Sequence, residues 1–238
     1  MKGRFKMIRI RQVLCVIGFA MLFQALNIAA QPLDSVPSTA PSQKLIEAFA
    51  GKATTRYYSD PRIRKKVLVS ERILEGFGYG PLRLTLKDGI AIYWGFRDKE
   101  ATTESVAIFD AKGRPRLLAA MDSIPWCDGW HCEPFTSIAD YQASADKTFL
   151  KNPAVDLFVR DKRDLETYLP YLKRWLQAKI LGFNVDCREP KMSAACKFVM
   201  QTEWLGIIQV RAYLLPSMRP LDIPKVEAAD VPLEAFGR

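Results

Sequence analysis

Histidine is almost missing from this sequence: His131 is the only one in 238 residues. That excludes metal sites built on two imidazoles and confines any Ser-His-Asp or Cys-His chemistry to the surroundings of one residue. The first thirty residues carry no acid. Long apolar runs are missing too. The richest stretch, Val13 to Ala30, is interrupted by Gln24 and Asn27, whereas a spanning helix needs about 20 predominantly apolar residues. No glycine-rich phosphate loop, nucleophile elbow, internal repeat or low-complexity tract occurs. The signatures of phosphate-cradling loops, α/β-hydrolases and solenoids are therefore not in this chain.

What stands at the N-terminus has an order. Lys2, Arg4, Lys6, Arg9 and Arg11 precede an apolar run from Val13 to Phe23, as in a bacterial secretory signal. Ile28 and Ala30 suit signal peptidase, so residues 1–30 read as a signal peptide cleaved before Gln31. The expected location is periplasmic or secreted, and a membrane enters only if the segment is kept as an anchor. Cys15 lacks the small preceding residue of a lipobox, which argues against lipidation. The precursor has a formal charge of +9, from 35 bases against 26 acids. Cleavage removes five bases and no acids, leaving 30 against 26, a net of +4. That is an ordinary soluble surface and gives no reason to expect a nucleic-acid partner. Two basic clusters, Arg62–Lys66 and Arg160–Arg163, read as solvated helix faces, the first being the one that could meet anionic lipid or a polyanion.

Residues 31–42 hold three prolines and three serines with little apolar content, a flexible leader. A single globular domain is expected over 43–215, followed by an extended, proline-containing tail over 216–238. Ser42 can cap a short helix burying Leu45, Ile46 and Phe49; Asp60-Pro61 reads as a second helix start, with the helix ending at Gly76. Leu82, Leu84 and Leu86 alternate, as do Ile90, Ile92, Trp94 and Phe96. Only a three-residue Lys87-Asp88-Gly89 loop puts both sets on one face, so a hairpin with Gly89 left-handed is predicted. A second hairpin joins Ser105–Asp110 to Arg116–Asp122. Ile138–Ala145 reads as a helical turn or two and Val155–Arg160 as a strand. From Asp161 to Leu181, Leu165, Tyr168, Leu169, Leu172, Trp175, Leu176 and Ile180 recur at helical spacing, an apolar stripe that must lie against a sheet. Pro170 should kink that helix. Three strands are then expected, at Phe183–Cys187, Cys196–Trp204 and Ile207–Leu215. The fold class is thus α+β: an antiparallel sheet built from hairpins, with a long kinked helix (about 161–181) packed on it and two disulfides.

Loss of the signal also removes Cys15 and leaves Cys127, Cys132, Cys187 and Cys196, an even set that an oxidising compartment turns into two disulfides. Cys187 and Cys196 fall in phase on apolar strand faces, so a bond between them would staple a hairpin. Cys127 and Cys132 would close Asp128-Gly129-Trp130-His131. The crossed pairings stay open on sequence alone.

The stretch from Trp126 to Glu133 holds two tryptophans, two cysteines, two acids and the only histidine. Its candidate contact residues are Trp126, Asp128, Trp130, His131 and Glu133. A four-residue gap between the cysteines departs from the two-residue spacing of thiol oxidoreductases, and zinc on Cys127, His131 and Cys132 would need thiols that escape oxidation. Glu71 and Glu75 share a helix face without implying catalysis. No metal, cofactor or catalytic residue is assigned. The reading is a non-catalytic, exported envelope protein that binds a protein partner, as an inhibitor, an immunity-type protein or an accessory of a surface assembly. The alternative is a periplasmic enzyme using the 126–133 loop, as a thiol-disulfide oxidoreductase or as a hydrolase with His131 as base. On the first reading the tryptophans matter more for contact than for folding.

Overall fold

A computed structural model describes residues 40–56, 66–98, 100–126, 133–147, 153–183 and 185–237. The fold is α+β. Seven strands form one sheet: β3 (Tyr79–Thr85), β4 (Ala91–Arg97), β5 (Glu100–Phe109), β6 (Pro115–Asp122), β7 (Ala154–Val159), β8 (Gln209–Leu214) and β9 (Arg219–Leu221). They lie side by side in chain order. Every neighbouring pair is antiparallel except β7 and β8, which run parallel. A parallel pair cannot be joined by a tight turn. Here the return is made by α4 (Lys162–Ile180), α5 (Pro190–Gln201) and α6 (Trp204–Ile207), which follow α3 (Ile138–Lys147) in the chain. Ahead of the sheet come α1 (Gln43–Ala50), the short pair β1 (Thr54–Arg56) and β2 (Lys66–Leu68), and α2 (Val69–Glu75).

Both hairpins form as the sequence predicts. Leu86 donates its N–H to Ile90 O at 2.8 Å around Lys87-Asp88-Gly89, and Gly89 sits at φ +84°, where a side chain would be strained. Leu82, Leu84, Leu86 and Ile90 consequently pack with Ile92 and Trp94 in one cluster. In the second hairpin Asp110 accepts N–H groups from Lys112 and Arg114 and the guanidinium groups of Arg114 and Arg116. Those bonds hold its carboxyl well below the usual carboxylate range, against a burial penalty that acts the other way.

The sheet is covered on both faces. On one, Ile92, Val106, Ile108, Leu117, Met121 and Leu157 meet the α4 stripe of Leu165, Leu169, Leu172, Trp175 and Leu176. On the other, Ala107, Phe109, Leu118, Ala120 and Phe158 meet Ile46 and Phe49 of α1 and Val69 and Ile73 of α2. Two-sided burial explains why Leu117 to Met121 is apolar without alternation. Pro170 lies inside α4 as expected.

Several boundaries differ from the sequence reading. The helix before Gly76 starts at Val69, because Lys66–Leu68 pairs as β2; the Asp60-Pro61 start lies outside the described residues. Gly76 is required by proximity: a Cβ there would come within 2.0 Å of Ser105 Oγ. The strand expected at Cys196–Trp204 is the second half of α5 and the start of α6. The alternation of Cys196, Phe198 and Met200 was a misleading signal. The buried residues are Ala195, Cys196 and Val199, at helical spacing, while Met200 is exposed. Pro190 at the first helical position favours that outcome. The disulfide Cys187–Cys196 is present, with Cα atoms 5.8 Å apart, but it ties the segment after α4 to α5 and does not close a hairpin. The Cys127–Cys132 pairing lies outside the described residues.

The extended C-terminal segment does more than cross the surface. Lys173 Nζ donates to Val226 O at 2.6 Å, Arg174 Nε to Ala229 O at 2.8 Å, and Ala229 N to Pro170 O at 2.9 Å, so α4 holds the segment along its length. A closing 3-10 turn, Leu233–Phe236, then buries Leu233 and Phe236, the latter with its ring edge against Trp94.

Candidate functional site

The loop singled out by composition leaves the sheet at the end of β6 and returns ahead of α3. Asp128, Trp130 and His131, with Cys127 and Cys132, lie outside the described residues; Trp126 and Glu133 mark the two limbs. Along the outgoing limb Ser123, Ile124 and Pro125 are buried. Ser123 takes φ +59°, an unfavourable value for a residue with a Cβ, and turns the chain out of the strand. Trp126 then emerges at 37% exposure. On the returning limb Glu133 is exposed, and Phe135 is buried with its ring 5.4 Å from that of Tyr141 on α3. Tyr141 in turn meets Trp204 at 4.8 Å. Burial pushes the Tyr141 hydroxyl far above its ordinary value. Ser137 caps α3 through the Asp140 N–H, and Asp140 accepts the Ser137 hydroxyl. Both limbs are therefore held by the core, and the side chain presented where the chain exits is Trp126.

Beneath Trp126 lies a group that sequence reasoning missed. Lys179, in the last turn of α4, is fully buried and pairs with the equally buried Glu104 of β5. Its ammonium faces three rings, Trp126 at 4.9 Å, Phe96 at 5.1 Å and Phe183 at 6.0 Å from their centroids. The signal was available: Lys179 occupies the apolar stripe one turn beyond Trp175, where an unpaired ammonium would be too costly to bury.

The opposite face carries charges at the same end of the sheet. Arg72 of α2 pairs with Asp122, the last residue of β6, at 2.5 Å and also donates to Met121 O; Thr103 Oγ1 is 3.5 Å from the same carboxylate. Asp156 of β7 pairs with Arg211 of β8 at 2.8 Å. Burial raises the Asp156 carboxyl to about 6, with Arg211 opposing and the Asp122 charge adding to the rise. Glu71 and Glu75 have local employment: Glu71 accepts the Leu68 N–H at the start of α2, and Glu75 lies 3.6 Å from Arg97. Of the basic clusters, Arg160 donates to the carbonyls of Ala48 and Phe49 at the end of α1, while Asp161 caps α4 and holds Arg163. Among the described residues no group of three or more His, Cys, Asp or Glu side chains is placed to hold a metal ion, and no helix is long and apolar enough to cross a membrane.

An open groove of about 850 Å³ is lined by residues of α1, β2 and α2, among them Glu47, Glu71, Glu75, Val67, Leu68 and Leu74. It is remote in sequence from the 126–133 loop. No protein-family model matches the chain, no curated protein matches it, and no solved structure matches it.

Proposed function

We propose that this chain is an exported envelope protein that acts by binding a protein partner, and that the loop from Trp126 to Glu133 makes the contact. The observation that carries the proposal is the way the loop is mounted: both limbs are anchored in the core, and a half-exposed tryptophan stands at the exit. An interface anchor works best when its ring is already fixed before the partner arrives, because less ordering entropy remains to be lost. Trp130, His131 and the acids Asp128 and Glu133 supply further aromatic area and polar rim. Export is supported by the Cys187–Cys196 disulfide, which belongs to an oxidising compartment, and by the basic-then-apolar order of residues 1–30.

The test is capture from envelope extract by the mature chain, compared with Trp130→Ala and with a surface variant at the far end of the β5–β6 hairpin, Lys112→Ala. The expected result is a partner retained by the wild type and Lys112→Ala and lost by Trp130→Ala, with all three chains folded. Equal capture by all three would remove the loop from the account.

A further inference from the structure

Among the described residues Lys179 meets the Glu104 carboxylate and the faces of Phe96, Trp126 and Phe183, and of those rings Trp126 reaches solvent. Glu104 is buried, Phe96 and Phe183 are buried, and Trp126 is 37% exposed. The backbone is shaped to complete this arrangement. Gly182 at φ +83° and Phe183 at φ +65° are both left-handed. Gly182 N donates to Lys179 O and Phe183 N to Ala178 O, each at 2.9 Å, the paired hydrogen bonds of a Schellman helix end. A left-handed phenylalanine is unfavourable, and here that conformation accompanies a ring on the ammonium.

A cation over the face of an indole favours one distance and orientation of the ring, which contact with an apolar side chain does not. We infer that Lys179 is a positioning residue for Trp126: its ammonium, held in place by Glu104, fixes the plane of the indole and so the way Trp126 is presented where the chain emerges. The inference rests on the binding reading above and deepens it, since the side chain presented to the partner is set by a charge the partner never touches. Lys179→Met separates this role from space-filling, because Met keeps an unbranched apolar stem and loses the charge.

The experiment uses the whole mature chain. Acrylamide quenching of Trp126 fluorescence is read as the difference between chains with Trp126 and with Trp126→Phe, in Lys179 and Lys179→Met backgrounds. Loss of the cation should raise the Trp126 quenching constant about twofold and weaken partner capture about tenfold, as loss of an anchored aromatic does. An unchanged quenching constant in a folded Lys179→Met chain overturns the inference. A raised constant with unchanged capture leaves Lys179 as the seat of Trp126 and sinks the binding reading instead. If Lys179→Met does not fold, Trp126→Leu in the otherwise native chain replaces it. The Lys179 ε-methylene proton resonances should then lose Trp126's share of their upfield ring-current shift, with that of Phe96 and Phe183 retained, and resonances that stay in place overturn the inference.

Discussion

The two faces of the sheet solve one problem in two ways. At the end where β6 runs out, each face buries charge. On the α4 face the ammonium of Lys179 pairs with the Glu104 carboxylate and, among the described residues, lies against the rings of Phe96, Trp126 and Phe183. On the α2 face two guanidinium groups and two carboxylates sit along neighbouring strands, Arg72 with Asp122 and Asp156 with Arg211. Aromatic faces accept a cation without adding a second charge, so that arrangement leaves a ring free to reach solvent. The ladder of ion pairs needs its partners close and keeps Arg72 almost wholly buried. One charged region thus reaches the surface through Trp126, and the other stays with the fold's interior.

The largest effect expected from breaking that difference is on the interior side. Asp122→Ala removes the carboxylate paired with the buried Arg72 and should cost about 3–5 kcal/mol, read by urea unfolding; a loss below about 1 kcal/mol would mean that Arg72's other contacts satisfy it. Converting the opposite face to an apolar one should do far less. Replacing both Glu104 and Lys179 by Met removes the pair together, which at buried sites is close to neutral or stabilising, whereas Glu104→Ala alone should cost as much as Asp122→Ala. If the double variant is as unstable as the single, the rings depend on the charge for their own packing.

The disulfide comes next. Replacing Cys187 and Cys196 together by Ser should cost roughly 2–3 kcal/mol for a loop of this length in the chain-entropy model. The transition should move to lower urea without changing activity in any thiol-exchange assay.

Asp156 gives a smaller effect that depends on pH. Its carboxyl is raised from 3.8 to about 6 by burial, so the folded chain holds that proton more tightly than the unfolded chain. The group is neutral in both states below the unfolded value, and stability falls as pH rises from about 4 through about 6. The stability of the wild type relative to Asp156→Asn should fall across that window, by at most about 3 kcal/mol. Parallel pH curves for the two chains would show that the Arg211 pair keeps Asp156 ionised.

Local pattern carried the hairpins and the long helix into the sequence reading, because each is specified within one segment. The three-residue turn follows from the phase of Leu82 to Phe96, and α4 from its stripe and the cap at Asp161. What was not legible involved contacts between distant segments. The second covered face depends on α1 and α2 meeting strands far along the chain; both helices are marked locally, at Ser42 and Gly76, but no local pattern says where they pack. α5 was misread because Cys196, Phe198 and Met200 alternate by chance, while its burial follows a helical phase. The Trp126–Glu133 loop stood out by composition, but its seat did not, since Glu104 and Lys179 lie 75 residues apart. Each of those charges does occupy a position that should be apolar, and such misfits were the legible trace of the buried pair. The structure also changes what Trp126 does for folding. A ring on a buried ammonium contributes to stability, so Trp126→Ala should cost about 1–2 kcal/mol, where the loop's composition alone suggested almost none.

The central claim is that this seated tryptophan contacts a partner. Titration calorimetry of the recovered partner against the mature chain and its Trp126→Ala variant, at a temperature where both are fully folded, tests it most directly. The account predicts an affinity loss of at least about 2 kcal/mol in the variant; equal affinities would contradict it and reduce Trp126 to a cover for Lys179.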